Sequence, residues 1–133
     1  MWLLAVRPAS ATPESLAETL RAVTGGRPVT EGGVTLELPR IADNGNVVPA
    51  TVKVASAQTP EDHVRVIRIL SEQNPVPLVV EMFLGPDVPK AEVATRIRLA
   101  KTQRVIALAE MQDGSFRSAT MQVEVTISAC GDD

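Results

Sequence analysis

The sequence predicts an all-β domain, an antiparallel β-sandwich of about seven strands that follows one short helix. Three observations lead to this prediction. Apolar and polar residues alternate with a period of two in several short segments, as in strands with one buried face. Turn residues separate these segments at intervals of about 8 to 12 residues. Only 2% of the residues are aromatic, so aliphatic side chains must fill the core, and the β-branched ones among them favour strands.

The helix is predicted to begin near Thr12, which suits the N-cap position, with Pro13 in the first turn. Gly25 and Gly26 are expected to end it, because glycine adopts the left-handed conformation that closes many helices. The apolar residues that recur at helical spacing between these limits are Leu16, Leu20 and Val23.

Two strands are predicted after the helix. Residues 34–38 alternate between apolar and polar side chains and end at Pro39. The sequence D-N-G-N at residues 43–46 is a strong turn signal, and a second strand follows at 47–54. Pro49 lies inside that strand and lacks an N–H group, which predicts an edge position or a bulge.

The segment at 59–70 is ambiguous, because its first four residues resemble a helix cap while β-branched residues dominate the rest. We predict a strand at 62–70, in which Val64 and Val66 share one face. Ile67 and Ile69 then share the other face, unless a bulge after Val66 realigns the two pairs.

Four further strands complete the predicted sandwich. Asn-Pro-Val-Pro at 74–77 excludes regular structure, and the last two strands are joined through Asp113-Gly114, a favoured hairpin pair. Seven short strands with this spacing predict an immunoglobulin-like fold. The chain then divides into an N-terminal extension at 1–13, the sandwich with its helix at 14–127 and a C-terminal arm at 128–133. The four strands are 78–84, 92–99, 103–111 and 115–127.

Composition excludes several kinds of partner and site. The formal net charge is -3 and no segment is rich in Lys or Arg, so nucleic acid is not an expected partner. The longest apolar run, residues 2–6, is far shorter than the roughly 20 residues of a membrane-spanning helix, so no membrane is expected either. His63 is the only histidine and Cys130 the only cysteine, so we predict no metal site, no cofactor and no catalytic residue.

Several polar residues allow two interpretations. His63 is expected to orient a turn rather than to act chemically, and the loop at 74–77 either only connects two strands or contacts a partner. Some arginines on predicted strands either are solvated singly or form a basic face that attracts anions; they are Arg65, Arg68, Arg96, Arg98 and Arg104.

Cys130 is the candidate functional residue, because it follows the last predicted strand by three residues and carries the chain's single thiol. Three extended residues reach about 10 Å. Only about 3% of an ordinary thiol is ionised at pH 7, and nearby carboxylates lower that fraction. Any activation must therefore come from a partner, which favours a covalent carrier over an enzyme. The other residues of this carrier arm are Ser128, Ala129, Gly131, Asp132 and Asp133.

Residues 14–130 resemble the SoxY family, the sulfur-carrier subunits of the bacterial thiosulfate-oxidising Sox system. The resemblance rests on the tail around Cys130 and on the segments I-A-D-N-G-N-V-V-P at 41–49, K-A-E-V-A-T-R-I-R-L-A at 90–100 and A-E-M-Q-D-G-S-F at 109–116. The family's tail reads G-G-C-G-G, whereas this chain has S-A-C-G-D-D at 128–133, so it keeps only Gly131 beside the thiol and ends in two carboxylates.

The resemblance implies a periplasmic, immunoglobulin-like carrier that forms a heterodimer with a SoxZ-like subunit. Cys130 is the position that would hold thiosulfate-derived sulfur species and present them to Sox enzymes such as SoxXA, SoxB and SoxCD, without catalysing a step itself. The small residues at 9–11 resemble the end of an export signal, and we expect the rest of that signal to be missing from this sequence. Two alternatives remain at this stage: a binding or assembly module with an idle tail, and an enzyme with a carboxylate site.

Overall fold

The structure, a computed structural model, describes residues 15–127. Within them the alternating segments form nine strands after one helix. The elements are α1 (Leu16–Thr24), β1 (Val29–Glu31), β2 (Val34–Glu37), β3 (Ile41–Ala42), β4 (Val48–Val54), β5 (Val64–Ser71), β6 (Leu78–Phe83), β7 (Glu92–Ile97), β8 (Gln103–Met111) and β9 (Phe116–Val125). No helix in this part of the chain is long and apolar enough to span a membrane.

The strands form two sheets. The larger has the order β1-β9-β8-β5-β6, with β3 also paired to β9, and the smaller has the order β2-β4-β7. All pairs are antiparallel except those of β1 and β3, which run parallel to the two ends of β9. The predicted all-β, immunoglobulin-like sandwich is confirmed, but it has nine strands rather than seven. The two additional strands are two or three residues long, too short to show a period in the sequence.

The core lies between the two sheets and is aliphatic, as the scarcity of aromatic residues predicted. Alternation along β8 places one set of side chains in this core and turns Ile106 and Leu108 to the opposite, outer face. The β8 side chains that enter the core are Val105, Ala107, Ala109 and Met111. Because β-branched and small side chains of the two sheets pack closely against each other, aliphatic residues fill this core without aromatic side chains.

Helix α1 covers part of the outer face of the larger sheet, where its apolar stripe packs on Phe116 and its neighbours. The helix begins one turn later than predicted. Its N-cap is Ser15, whose hydroxyl accepts a hydrogen bond from Glu18 N (3.0 Å) while the Glu18 carboxylate accepts one from Ser15 N (3.2 Å). This reciprocal capping box supplies two partners for otherwise unpaired N–H groups. Thr12 and Pro13 lie outside the described residues, and Gly25 ends the helix as predicted (φ 67°).

Strand β5 confirms the choice of strand over helix, but one predicted pairing of its side chains was wrong. Val64 lies opposite Met111 and Val66 opposite Glu110, so Arg65 is an additional residue in the ladder. This bulge precedes Val66 and places Val64 in the core with Ile67, whereas Val66 lies on the outer face.

The strand that contains Pro49 is not an edge strand, as the sequence suggested, but Pro49 itself lies beyond the end of β2. Strand β4 is central in the smaller sheet, but β2 pairs only as far as Thr51. Pro49 therefore has a neighbour on one side only, Arg96 of β7. Because β2 does not reach Pro49, the absence of an N–H group in proline removes no hydrogen bond between β4 and β2.

A buried ion cluster lies on the outer face of the larger sheet. Arg68 donates to Glu81 Oε2 and to Glu110 Oε1, both at 2.8 Å, and its side chain is 11% exposed. Burial alone lowers the pKa of Arg68, but the hydrogen bonds to Glu110 and Glu81 and the attraction of both carboxylates outweigh it, so the pKa is raised above the ordinary value. Arg68 thus joins β5 to β6 and β8 and is not a free cation.

We expect Arg68→Ala to lower the free energy of unfolding by about 2 kcal/mol, because it removes two charge-assisted hydrogen bonds and leaves Glu110 with only its longer pair to Arg65. Urea denaturation followed by circular dichroism measures the loss. The control is Arg65→Ala on the same strand, whose pair with Glu110 is longer (3.6 Å) and half exposed, and which should cost less than about 1 kcal/mol. Equal losses in the two variants would contradict the role assigned to the cluster.

Candidate functional site

The candidate site is the point at which the chain leaves β9. All residues of the predicted arm lie outside the described residues: Ser128, Ala129, Cys130, Gly131, Asp132 and Asp133. The last residue that the structure describes is Ile127, three positions before the thiol. What the structure defines is therefore the root of the arm, residues 125–127 and the groups that hold them.

The end of β9 is fixed by hydrogen bonds from neighbouring segments. Val125 N donates to Thr102 Oγ1 at 2.9 Å, and Thr126 N donates to Ala42 O at 3.0 Å. The hydroxyl of Thr126 also donates to Ala42 O (3.3 Å) and to Asp43 O (3.2 Å). The short strand β3 is thus the element that holds the root on one side, and Thr102 holds it on the other.

The turn at 43–46 holds the last described residue. Gly45 N donates to Ile127 O at 2.8 Å, and Gly45 O accepts from Leu99 N at 2.8 Å. Asn44 Oδ1 accepts from Asn46 N at 2.9 Å, which closes the turn from within, as the D-N-G-N signal predicted. The turn connects the root of the arm to the loop that follows β7.

Two buried amide side chains hold that loop in turn. Asn74 donates from Nδ2 to Arg98 O (2.8 Å) and accepts at Oδ1 from Ala100 N (2.9 Å). Gln103, only 2% exposed, donates to Asn74 Oδ1 (3.1 Å) and to Lys101 O (2.7 Å). Buried amides are stable only when their hydrogen bonds are made, so this pair fixes the loop conformation. A continuous series of hydrogen bonds therefore runs from Ile127 through Gly45 and this loop to Gln103.

Glu72 and Arg104 form an ion pair beside Gln103. Arg104 Nη2 donates to Glu72 Oε2 at 3.0 Å, and the hydrogen bond lowers the pKa of Glu72 and raises that of Arg104. The backbones of the two residues are also joined by a hydrogen bond, in which Glu72 N donates to Arg104 O at 3.1 Å. The pair joins β8 to the loop after β5 beside Gln103.

The other polar residues considered from the sequence do not form a second site. His63 is half buried, and its Nδ1 lies 2.9 Å from Thr59 O across a tight turn, as expected of a residue that orients a turn. The hypothesis of one basic face is wrong, because Arg68 is enclosed by carboxylates on the larger sheet, whereas Arg96 lies on β7 of the smaller sheet. Among residues 15–127 there is no cluster of three or more potential metal ligands.

The thiol stays a prediction, and the sequence does not indicate the residues that hold the end of β9. Its patterns predict Gly45 only as a turn residue and Gln103 only as the first residue of a strand. The signals available in the sequence are an amide residue, Gln103, at the start of a strand and an asparagine, Asn74, directly before Pro75. Neither signal shows which distant backbone groups the amides bind.

Comparison with known proteins decides the family. The family described as "Sulfur oxidation protein SoxY" matches residues 20–130, a range that includes Cys130. The chain belongs to the SoxY family. The sulfur carrier protein SoxY from Chlorobium limicola f thiosulfatophilum is 31% identical, with a TM-score of 0.70 over 85% of this chain and 97% of that one.

More distant structures share only the fold. A superoxide reductase (neelaredoxin) from Ignicoccus hospitalis superposes on the chain with a TM-score of 0.63 at 16% identity, covering 84% of this chain and 98% of that one. A superoxide reductase from Nanoarchaeum equitans gives 0.60 at 9% identity, covering 72% and 100%. No curated protein sequence matches the chain. The SoxY assignment therefore rests on the family match and on the Chlorobium structure.

We expect Asn74→Ala to lower the free energy of unfolding by about 1 to 3 kcal/mol, because it removes the hydrogen bonds that Asn74 makes to Arg98 O, Ala100 N and the buried Gln103 amide. The amides of Gly45 and Leu99 should also exchange with deuterium at least about tenfold faster, since their hydrogen bonds depend on the loop that Asn74 holds. Hydrogen exchange measured by NMR tests both effects. The exposed amide Gln122, replaced by Ala, is the control and should change neither quantity. Unaltered exchange at Gly45 in the Asn74 variant would contradict the connection.

Proposed function

We propose that this chain is a carrier of sulfur-compound intermediates, which it holds covalently on Cys130 and presents to enzymes. Membership of the SoxY family and the similarity to the sulfur carrier protein SoxY from Chlorobium limicola support the role. The observation that carries the proposal is the position of the thiol, three residues beyond Ile127, where the hydrogen-bonded frame of the described chain ends.

That position suits delivery into another protein. Three extended residues carry a group about 10 Å, enough to enter a cavity whose rim rests on the end of the sandwich. The frame behind the arm holds Ile127 through Gly45 and Thr126 through Ala42, so the origin of the arm is fixed. A fixed origin with a short reach confines the thiol to a small volume, which raises its effective concentration at a docked active site.

The chemistry follows from the thiol. Oxidative coupling of the Cys130 thiol to thiosulfate forms an S–S bond, releases the thiol proton and passes two electrons to an acceptor on a partner enzyme such as SoxXA. Hydrolysis then adds water across the outer S–S bond, releasing sulfate and leaving a persulfide on Cys130. An enzyme such as SoxB would catalyse this hydrolysis, and one such as SoxCD would oxidise the remaining sulfane sulfur. The chain catalyses none of these steps.

The proposal includes a partner subunit and a compartment. We infer a heterodimer with a SoxZ-like subunit and a periplasmic location, both from family membership. A module with an idle tail is the rival, and it differs in one respect: replacing Cys130 by Ser would leave every activity of the assembled system intact. No specific contact in the described residues favours that rival or an enzyme.

Incubation with thiosulfate and the oxidising Sox enzymes should add a thiosulfate-derived mass to the intact chain, because the thiol is the attachment point. Intact-mass spectrometry before and after incubation measures the adduct, and peptide mapping locates it. Cys130→Ser is the matched control, since it differs by one atom and should stay unmodified. An unmodified wild-type chain in the presence of enzymes that load another SoxY protein would contradict the carrier function.

The two terminal carboxylates should slow the reactions of the free thiol. Replacing Asp132 and Asp133 by Gly removes negative charge next to the thiol, which favours the thiolate. We expect alkylation by iodoacetamide at pH 7 to become about two- to threefold faster, with a smaller difference in 1 M salt, where charges are screened. Asp87→Gly removes a charge far from the arm and serves as the control. Equal rates in all three proteins would show that these carboxylates do not govern the thiol.

A further inference from the structure

Strand β6 is the free edge of the larger sheet. It pairs with β5 on one side, from Ile69 opposite Val80 to Val66 opposite Phe83, and no described strand pairs with its other side. Its outward backbone N–H and C=O groups are therefore available to another strand. A row of such groups is a template for strand addition.

The edge carries exposed apolar side chains on both faces. Phe83 is 71% exposed and Met82 is 43% exposed. Met82 lies opposite Ile67, on the core side of the sheet, whereas Phe83 lies opposite Val66, on the outer side. A strand laid beside β6 would contact both side chains at once, one on each face. A helix or a flat surface would meet one of them and leave the backbone groups unpaired.

The devices that usually block strand addition are weak here. Strand β6 contains no Lys and no Pro. Its one charged residue, Glu81, forms an ion pair with Arg68 of the neighbouring strand β5 at 2.8 Å. A bulge at Val79, between the pairs of Leu78 and Val80, interrupts the first half of the strand. The regular edge is therefore Val80 to Phe83, the half that carries the exposed apolar residues.

A shallow depression continues from this edge across the outer face. Apolar residues around Phe83 line it together with polar residues that include Arg65. Arg65 is half exposed although it pairs with Glu110 at 3.6 Å. A strand added beside β6 would thus lie next to an apolar depression and next to the half-exposed side chain of Arg65. The complementary strand has an apolar residue beside Phe83 and an acidic residue that reaches Arg65.

The edge is remote from the root of the arm. Phe83 lies at the end of the sheet where Glu110 pairs with Phe116, whereas the arm leaves from the end where Gln103 pairs with Val123. Seven residues of β8 separate the two ends, about 23 Å at the usual rise of a strand. A permanent partner on β6 would leave the arm free to enter the cavities of other proteins.

We propose that the exposed edge of β6, residues 80–83, is the docking surface for the partner subunit, which adds an edge strand of its own sheet there. The inference rests on the heterodimer proposed above and extends it by naming the surface. The two sheets then become continuous across the interface, and Phe83 and Met82 lie buried against the added strand.

Binding of a purified SoxZ-like subunit from the same organism, measured by isothermal titration calorimetry, tests the surface. Phe83→Lys should weaken binding on the order of a hundredfold, because it removes a central apolar contact and places a charge at the edge. Met82→Lys should weaken it similarly. Val47→Lys is the matched control, since Val47 is also an exposed aliphatic residue (54%) but lies at the arm end. Because all three side chains are exposed, the variants should keep the melting temperature of the parent chain.

Hydrogen exchange of the complex separates strand addition from mere side-chain contact. Alternate amides among residues 80–83 should become protected when the partner binds, while the amides around Val47 stay unchanged. A tight complex that both β6 variants form normally would overturn the surface alone. Absence of any complex with the unaltered chain would overturn both the surface and the heterodimer. A homodimer that Phe83→Lys dissociates would overturn the assignment of this surface to the partner subunit, because a second copy of the chain would occupy it. Covalent loading of Cys130, measured by mass, would stand in either case.

Discussion

The pairing of β8 with a strand on each side is the constraint on which the rest of the structure depends. Eight residues of β8, from Gln103 to Glu110, pair with β9, and the same strand pairs with β5 on its other edge. A shift of one residue in either ladder would move the core side chains of β8 to the outer face. This register determines which side chains form the aliphatic core and which form the outer surface on which α1 packs. It also sets the direction in which the chain leaves β9.

The same register also places the polar side chains that fix the loops and strands of the sandwich. Its polar side chains are used to fix loops, as Asn74 and Gln103 do, or to neutralise one another, as Arg68 and Glu81 do. In the carrier role proposed above, the contribution of the described residues is geometric. They fix the point at which the proposed arm begins, and the chemistry is assigned to partner enzymes.

Much of this fold could be predicted because most of its strands have one buried face and alternate accordingly. The helix, the seven longer strands and the Asp113-Gly114 hairpin follow from such local patterns. What could not be predicted depends on distant backbone groups. The bonds of Gly45 to Ile127 and Leu99, and the strand β3 that holds Thr126, are formed by residues that are far apart in sequence. The bulge at Arg65 shifted the faces of β5 for a similar reason: its position is set by the ladder to β8.

The two edges of the larger sheet differ in one further respect. Strand β9 is covered at one end by β1, at residues 116–118, and at the other by β3, at residues 124 and 125. An incoming strand would find only a few unpaired residues of β9 between two short parallel strands, so this edge offers less regular backbone for strand addition than β6 does. Among the described residues, strand addition to the larger sheet is therefore favoured at β6. Polymerisation into fibres needs two complementary growing ends, so this difference between the edges disfavours it.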